Sequence, residues 1–358
     1  MSRGYQPDKS DHLRACMIRC TLALWSTPGF QPYQATFATL PLIVNMSRSS
    51  QHDARNAALR QALSSAEAAN AASIPDEKII PEQCKDLQLP WQVEEIPYSK
   101  GAKLHWIGDR SAANVLLYFH GGGFGLPAFP GHIQFLASCM EKAATAGNKL
   151  LVAVLEYGLT PVTKYPTQYL QAVQALRYVI AAGYPPSRIV VGGDSAGGNM
   201  VLGLLSSISH SHPSIPALQL STPLKGALLI SPWVSFSKDW ESYRLNADRD
   251  LVSASGMLEW ADVFAGPEER DNFSEPIKAD ADWWRAVPVE KTLLVWGEHE
   301  VFRDSIAEVA ETLVKAGVSI KTVECERQVH VESILDSQSG LEHGPMSKEI
   351  WDWLTSVY

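Results

Sequence analysis

The stretch "RIVVGGDSAGGNMVLGL", Arg188 to Leu204, decides how the rest of the chain is read. Ile189–Val191 run into Gly192 and Gly193, the chain meets Asp194 and Ser195, passes Gly197 and Gly198, and resumes as an apolar helical pattern. β-Branched residues ending in glycines, then helix-like spacing, predict a strand, a sharp corner and a helix. Gly193-Asp194-Ser195-Ala196-Gly197 fits G-x-S-x-G, a corner that displays a nucleophilic hydroxyl. Glycines on both sides permit a strained turn and leave the serine uncrowded. The first N–H groups of the following helix, at the positive end of its dipole, then face whatever Ser195 attacks. A glycine-rich turn with an incidental serine would explain the pentapeptide, but not the strand and helix around it.

Outward from this corner, apolar runs alternate with helical patterns: "NVLLYFH", "LLVAVLEY", "GALLISPW", "TLLVWGE" and "VSIKTVEC". Continuous Val/Leu/Ile runs separated by helices describe strands buried on both faces, hence a mostly parallel sheet in an α/β fold. "WQVEEIPY" and "AKLHWIG" predict an antiparallel pair that precedes it. Residues 1–90 read as a helical segment contributing to a cap, with Asp53 as an N-cap in an Ala-rich stretch. Residues 91–234 read as the first half of the core, 235–288 as a polar, Trp-rich cap insertion, and 289–358 as the second half. Within the insertion, Trp240, Trp260, Trp283 and Trp284 are expected chiefly to pack it.

The chain has 358 residues, 46% of them hydrophobic and 19% charged, an ordinary globular balance. A formal charge of −9 argues against nucleic acid, whose phosphates call for a basic surface. Five cysteines, Cys16, Cys20, Cys84, Cys139 and Cys325, read as buried small hydrophobes in a reducing compartment. "ACMIRCTLALW" is interrupted by Arg19 and too short to span a bilayer, so a cytoplasmic protein is expected, with membrane-surface contact left open. A homodimer is compatible with this composition and is not specified by it.

A second motif lies upstream. "NVLLYFHGGGFGLP" places His120-Gly121-Gly122-Gly123-Phe124 at the end of another strand. Attack on an ester carbonyl creates an oxyanion, and glycines let a backbone turn its amides inward to meet it. Gly122, Gly123 and Ala196 are the candidate donors, and His120 is expected to hold the loop. The loop lacks the Lys-Ser/Thr ending of a P-loop, and no cofactor or metal is expected. "GDSAGG" also echoes the "GDSGGP" of chymotrypsin-like proteases, a reading that the surrounding α/β pattern excludes.

A serine nucleophile needs a base, and the base needs an orienting acid, in the chain order Ser, acid, His. After "TLLVW" the stretch "GEHEVFRDS" offers Glu298, Glu300 and Asp304. After the last strand, His330 in "ERQVHVES" competes with the more distant His343. Glu298-His299-Glu300 is a weak mimic of a metal site, and His210 and His212 fall in a Ser/Pro-rich loop expected to be solvent-exposed.

Taken together, "HGGGF", "GDSAGGN", "SPW" and an acid motif resembling D-P-L-x-D make the chain resemble the hormone-sensitive-lipase-like branch of the α/β-hydrolases, from about Trp91 onward. That branch includes bacterial esterases, arylacetamide deacetylases and fungal steryl-acetate hydrolases. The resemblance implies that the first acid of the motif, here Glu300, orients the base, with Asp304 as its second acid. Glutamate replaces the usual aspartate, and its extra methylene has to be absorbed locally. The spacing from Glu300 to His330 is 330 − 300 = 30 residues. "YGLTPVTKYP" departs from the branch's Y-R-L-A-P-E, with Gly158 and Val162 in place of Arg and Glu. The expectation is a serine carboxylesterase acting through an acyl-enzyme on a small or medium-sized hydrophobic ester. Its rivals are a hydrolase or acyl transferase for an amide or thioester and a non-catalytic ligand-binding relative.

Overall fold

The computed structural model describes residues 48–63 and 75–358. Cys16, Cys20 and "ACMIRCTLALW" lie outside the described residues, as does most of the expected 1–90 segment. In chain order the elements begin with α1 (Arg48–Ala62), α2 (Asp76–Asp86), β1 (Trp91–Glu95), β2 (Lys103–Ile107) and β3 (Asn114–Phe119). Next come α3 (Pro130–Thr145), β4 (Leu150–Glu156), α4 (Thr167–Ala181), β5 (Ile189–Asp194), α5 (Ala196–Ser209) and β6 (Gly226–Ile230). After β6 lie α6 (Glu241–Leu245), α7 (Ala254–Phe264) and α8 (Ala281–Trp284). The chain closes with β7 (Thr292–Gly297), α9 (Arg303–Lys315), β8 (Ile320–Cys325), α10 (Glu332–Ser339) and α11 (Pro345–Val357).

The strands form one eight-stranded sheet in the order β1-β2-β4-β3-β5-β6-β7-β8. β1 pairs antiparallel with β2, and β2 with β4. Every other pairing is parallel, and the apolar runs are strands as expected, except that β8, at the sheet edge, is buried only at Cys325 instead of on both faces. Helices explain the composition of those runs: strands β3, β5, β6 and β7 are buried at every position, whereas edge strand β1 is almost wholly exposed. Helix α3 packs against α2, α10 and α11, and α4 packs against α5.

Parallel strands deliver their C-terminal ends, and the loops that follow, to one edge of the sheet. β3 ends at the glycine loop, β5 at Ser195, β7 just before Glu300, and β8 shortly before His330. Residues far apart along the chain therefore meet because of topology.

Asp53 corrects a sequence expectation. It lies inside α1, not at its N-cap, since the helix already runs from Arg48. The side chains of α1 instead tie it to α10. Arg55 Nη1 donates to Asp336 at 2.9 Å, Arg55 Nη2 donates to Glu332 at 3.2 Å, and His52 Nε2 is 3.1 Å from Asp336. His210 and His212 are half-buried where exposure was expected. His210 stacks on Trp283, and His212 packs on Phe273 with its Nε2 3.2 Å from the Tyr165 hydroxyl. Rings of this size cover apolar surface wherever a neighbouring aromatic offers it, which a Ser/Pro-rich local sequence does not reveal. Among the described residues no helix is long and apolar enough to cross a membrane, and Cys84, Cys139 and Cys325 are buried free thiols.

Candidate active site

β5 runs straight into the corner. Ser195 has φ +52° and ψ −118°, a conformation costly for any residue with a side chain, and α5 starts at the next residue. Its neighbours hold it there: Ser195 N donates to Ile230 O at 3.0 Å, and Trp233 N donates to Ser195 O at 2.9 Å. The flanking glycines are steric necessities. A Cβ on Gly197 would collide with the carbonyl of Phe119, and one on Gly193 would collide with the backbone of Gly197.

The glycine loop is held against this corner by Asp194. Its buried carboxylate accepts the Tyr118 hydroxyl at 2.8 Å and Gly121 N at 3.0 Å, and lies 3.2 Å from His132 Nε2. Burial works to raise the Asp194 pKa, but the charge and hydrogen bond of His132, with Tyr118 behind them, keep it below the ordinary carboxylate value. Gly122 and Gly123 follow with φ of +112° and +59°. Among the described residues, the amides of Gly122 and Gly123 donate to no backbone carbonyl, and Ala196, the first residue of α5, has no intrahelical acceptor. His120 supports the loop from behind, as expected. Its Nδ1 is 2.7 Å from Gly121 O, its Nε2 is 3.2 Å from Asp76, and it stacks on Tyr157.

The acid and base loops arrive from β7 and β8. His330 Nδ1 is 3.0 Å from Glu300 Oε2, and both side chains are buried. Glu300 Oε1 accepts the Ser231 hydroxyl at 2.6 Å and also the N–H of Gly297. The longer glutamate arm is thus taken up by folding the carboxylate back onto its own loop. With the Nδ1 proton donated to Glu300, Nε2 of His330 retains its lone pair. Val331, β-branched yet at φ +48°, follows directly, and its N–H donates to Ser231 Oγ at 3.2 Å. Burial alone would lower the pKa of the His330 imidazole. The hydrogen bond and charge of Glu300, reinforced by Asp250 and Asp194, outweigh it and raise the pKa above the histidine norm.

Ser195, His330, Gly122 and Gly123 line one cavity. Most of its remaining wall is apolar, with Leu63, Leu126, Phe129, Val252, Met257 and Trp260 among it, and Ser253 and Asp194 supply the polar part. Such a pocket offers a place for a hydrophobic group beside a serine, an imidazole and the amides of the glycine loop. That combination suits attack on an acyl carbonyl.

A family model described as the alpha/beta hydrolase fold matches residues 116–333. The chain belongs to the α/β-hydrolase family. An acetyl-hydrolase of Streptomyces hygroscopicus is 27% identical over 224 residues, covering 62% of this chain and 69% of that protein. A carboxylesterase of Mycobacterium tuberculosis is 32% identical over 225 residues, covering 60% of this chain and 65% of that one. This α/β-hydrolase thus spans about two thirds of the length of the curated relatives it matches. Among solved structures, an esterase from the bacterial hormone-sensitive lipase family superimposes with a TM-score of 0.63 at 23% identity, over 87% of this chain and 99% of its own. Carboxyl esterase 2 of the fungus Tuber melanosporum gives a TM-score of 0.63 at 20% identity, over 75% and 87%. These likenesses show the fold, and with the family match they bear out the resemblance read from the sequence.

Within this α/β-hydrolase the rival residues fall elsewhere. Asp304 sits in the first turn of α9, where it accepts Ser242 N at 2.7 Å. Glu298 accepts Arg327 N at 2.8 Å. His343 is 3.1 Å from Ser347 Oγ and packs on Trp351. Of the four expected packing tryptophans, Trp260 lines the cavity and also presses on the glycine loop, where a Cβ on Gly123 would meet its ring. His52, Glu332 and Asp336 bring their ligand atoms within 4.8 Å of one another, and the Arg55 guanidinium already supplies a cation to both carboxylates.

Sequence reasoning missed Asp250. It is fully buried, with Oδ1 accepting His330 N at 3.2 Å and Oδ2 accepting Val301 N at 2.8 Å. Burial pushes its pKa up to about 6, and the nearby Glu300 charge adds to this against the pull of His330 and two backbone amides.

Proposed function

We propose that this α/β-hydrolase is a serine carboxylesterase acting on carboxylic esters of a small or medium-sized hydrophobic substrate. Ser195 is the nucleophile, His330 the general base and then acid, and Glu300 the carboxylate that orients the imidazole and stabilises its cation. The N–H groups of Gly122, Gly123 and Ala196 receive the oxyanion. The observation that carries this reading is the meeting of Ser195, His330 and the positive-φ glycines on one apolar cavity, with Glu300 behind His330. The relatives named as a carboxylesterase and an acetyl-hydrolase support the reaction class.

In this scheme Ser195 Oγ attacks the ester carbonyl as His330 Nε2 takes its proton, and the negative charge develops against amides already in place. His330 returns the proton to the leaving alcohol, and water then releases the acid from Ser195 by the reverse sequence. Residues 48–63 and 235–288 act as a cap, supplying Leu63, Leu251, Val252, Met257 and Trp260 to the cavity. The test is turnover of a p-nitrophenyl ester series by wild type and Ser195→Ala, alongside matched anilides and thioesters. Ester turnover that vanishes in Ser195→Ala supports the proposal; preference for anilide or thioester, or no turnover, overturns it.

A further inference from the structure

We infer that Asp250 is a positioning residue, tying the insertion that walls the cavity to the two loops that carry the proposed acid and base. The inference rests on the assignment of Ser195, His330 and Glu300 above.

Asp250 belongs to the chain between β6 and β7, yet its carboxylate accepts hydrogen bonds from the loops that follow β7 and β8, as well as from Leu251 N at 2.8 Å. Oδ2 takes the N–H of Val301, the residue after Glu300, and Oδ1 takes the N–H of His330 itself. One carboxylate therefore spans the acid loop and the base loop, and fixes the separation across which His330 Nδ1 reaches Glu300 at 3.0 Å. Asn246, from the same segment, adds donors to Glu298 O at 3.1 Å and Glu300 O at 2.8 Å. Immediately beyond Asp250, Leu251, Val252 and Ser253 form cavity wall. From α1, Arg60 Nε donates to the Asp250 carbonyl at 2.6 Å.

A simple strut between two loops would not require a charge. A neutral acceptor could take the same two N–H groups, whereas burying a carboxylate away from water is costly unless positive charge stands nearby. The groups facing Asp250 are His330, Glu300 and the Tyr243 hydroxyl, with Arg60 reaching only its carbonyl. Among these, only His330 becomes a cation facing the carboxylate, and it does so during turnover. The placement thus combines two effects on one imidazole: its backbone is held, and its protonated form is favoured.

The experiment measures the rate at which Ser195 is labelled by a fluorophosphonate, in single turnover from about pH 5 to about pH 8, for wild type, Asp250→Asn and Asp250→Glu. Labelling counts only folded molecules with a working nucleophile, and circular dichroism reports the folded fraction. Asp250→Asn is expected to label about 10²-fold more slowly, as misplacement of reacting groups by an ångström can cause. Its acid limb should also move down by about one pH unit, because a negative charge beside His330 is gone. Asp250→Glu keeps the charge and shifts the carboxylate, so it should label more slowly with the limb in place, and it carries the test if Asp250→Asn does not fold. A folded variant of either kind that labels at the wild-type rate overturns the inference, as does an Asp250→Asn protein that is slowed with its limb unmoved. Failure of the wild type to label would instead overturn the assignment of Ser195.

Discussion

The Nδ1 atom of His330 lies 3.0 Å from Oε2 of Glu300, while the other oxygen of that carboxylate is held by Ser231 and Gly297. A glutamate thus fills a position where the related motif has aspartate, by anchoring one oxygen to its own loop. Glu300→Gln keeps the shape but offers Nδ1 an ambiguous partner, and kcat should fall by about 10⁴-fold. Glu300→Asp retains the charge and gives up one charge-assisted hydrogen bond, about 1.4 kcal/mol, so kcat should fall by about tenfold. Steady-state kinetics on one activated ester checks both; equal losses in the two variants would contradict the assigned role.

Asp194 joins the corner to the glycine loop, so its loss should be felt in stability and in turnover. Asp194→Asn leaves His132 without its carboxylate, and the amide NH2 must face either His132 Nε2 or the two donors, Tyr118 and Gly121, that share Oδ1. Breaking a buried pair in this way costs about 3 kcal/mol, readable as a lower urea midpoint at unchanged m. Because the folded pKa of Asp194 is lowered, its stabilisation is in place above the ordinary value of 3.8 and is lost as pH falls through the lower folded value. The variant should therefore lose less stability than wild type on acidification below that point.

The pH dependence of activity follows from His330. Its pKa is raised above 6.5, so kcat/KM should fall on the acid side with a midpoint above 6.5 as the base is protonated. Asp250 gives a separate stability signature. Its folded value of about 6 exceeds the ordinary 3.8, so between those values the folded protein holds a proton that the unfolded chain releases. That stabilisation is complete at low pH and is lost as pH rises through the folded value. Urea unfolding of wild type and Asp250→Asn from about pH 4 to about pH 7 should show wild type losing more stability over the interval. A parallel decline in both proteins would contradict this.

Trp260 is buried between the cavity and the glycine loop. Trp260→Ala should destabilise the fold by about 3–5 kcal/mol and open the cavity wall beside the proposed oxyanion donors. On the p-nitrophenyl ester series, kcat/KM should shift towards longer acyl chains. Unchanged relative rates along the series would place the acyl group elsewhere.

Much of this was legible in the sequence because the chemistry constrains it locally. Continuous apolar runs marked the buried strands, and glycines around Ser195 and after His120 marked places where a Cβ has no room. Position after β7 left Glu298, Glu300 and Asp304 open and only the resemblance to the family's acid motif singled out Glu300, while His330 was read from its place after β8; the structure sets these two 3.0 Å apart, because parallel strands bring their loops together. Asp250 was not, because its partners are backbone amides 51 and 80 residues away and nothing adjacent to it signals them. His210 and His212 were misread for a similar reason: their local composition is polar, but Trp283, Phe273 and Tyr165 arrive from distant segments to cover them. The start of α1 displaced Asp53 from the cap position, and a helix boundary there depends on how Arg55 and His52 meet α10 as much as on local propensity.

The most direct measurement is covalent: react the protein with a fluorophosphonate and map the adduct by peptide mass spectrometry, with Ser195→Ala in parallel. Stoichiometric modification of Ser195, absent from the variant and abolished by prior denaturation, is the predicted result. An unmodified wild-type protein, or an adduct on any other residue, would contradict the claim that this corner presents an activated serine.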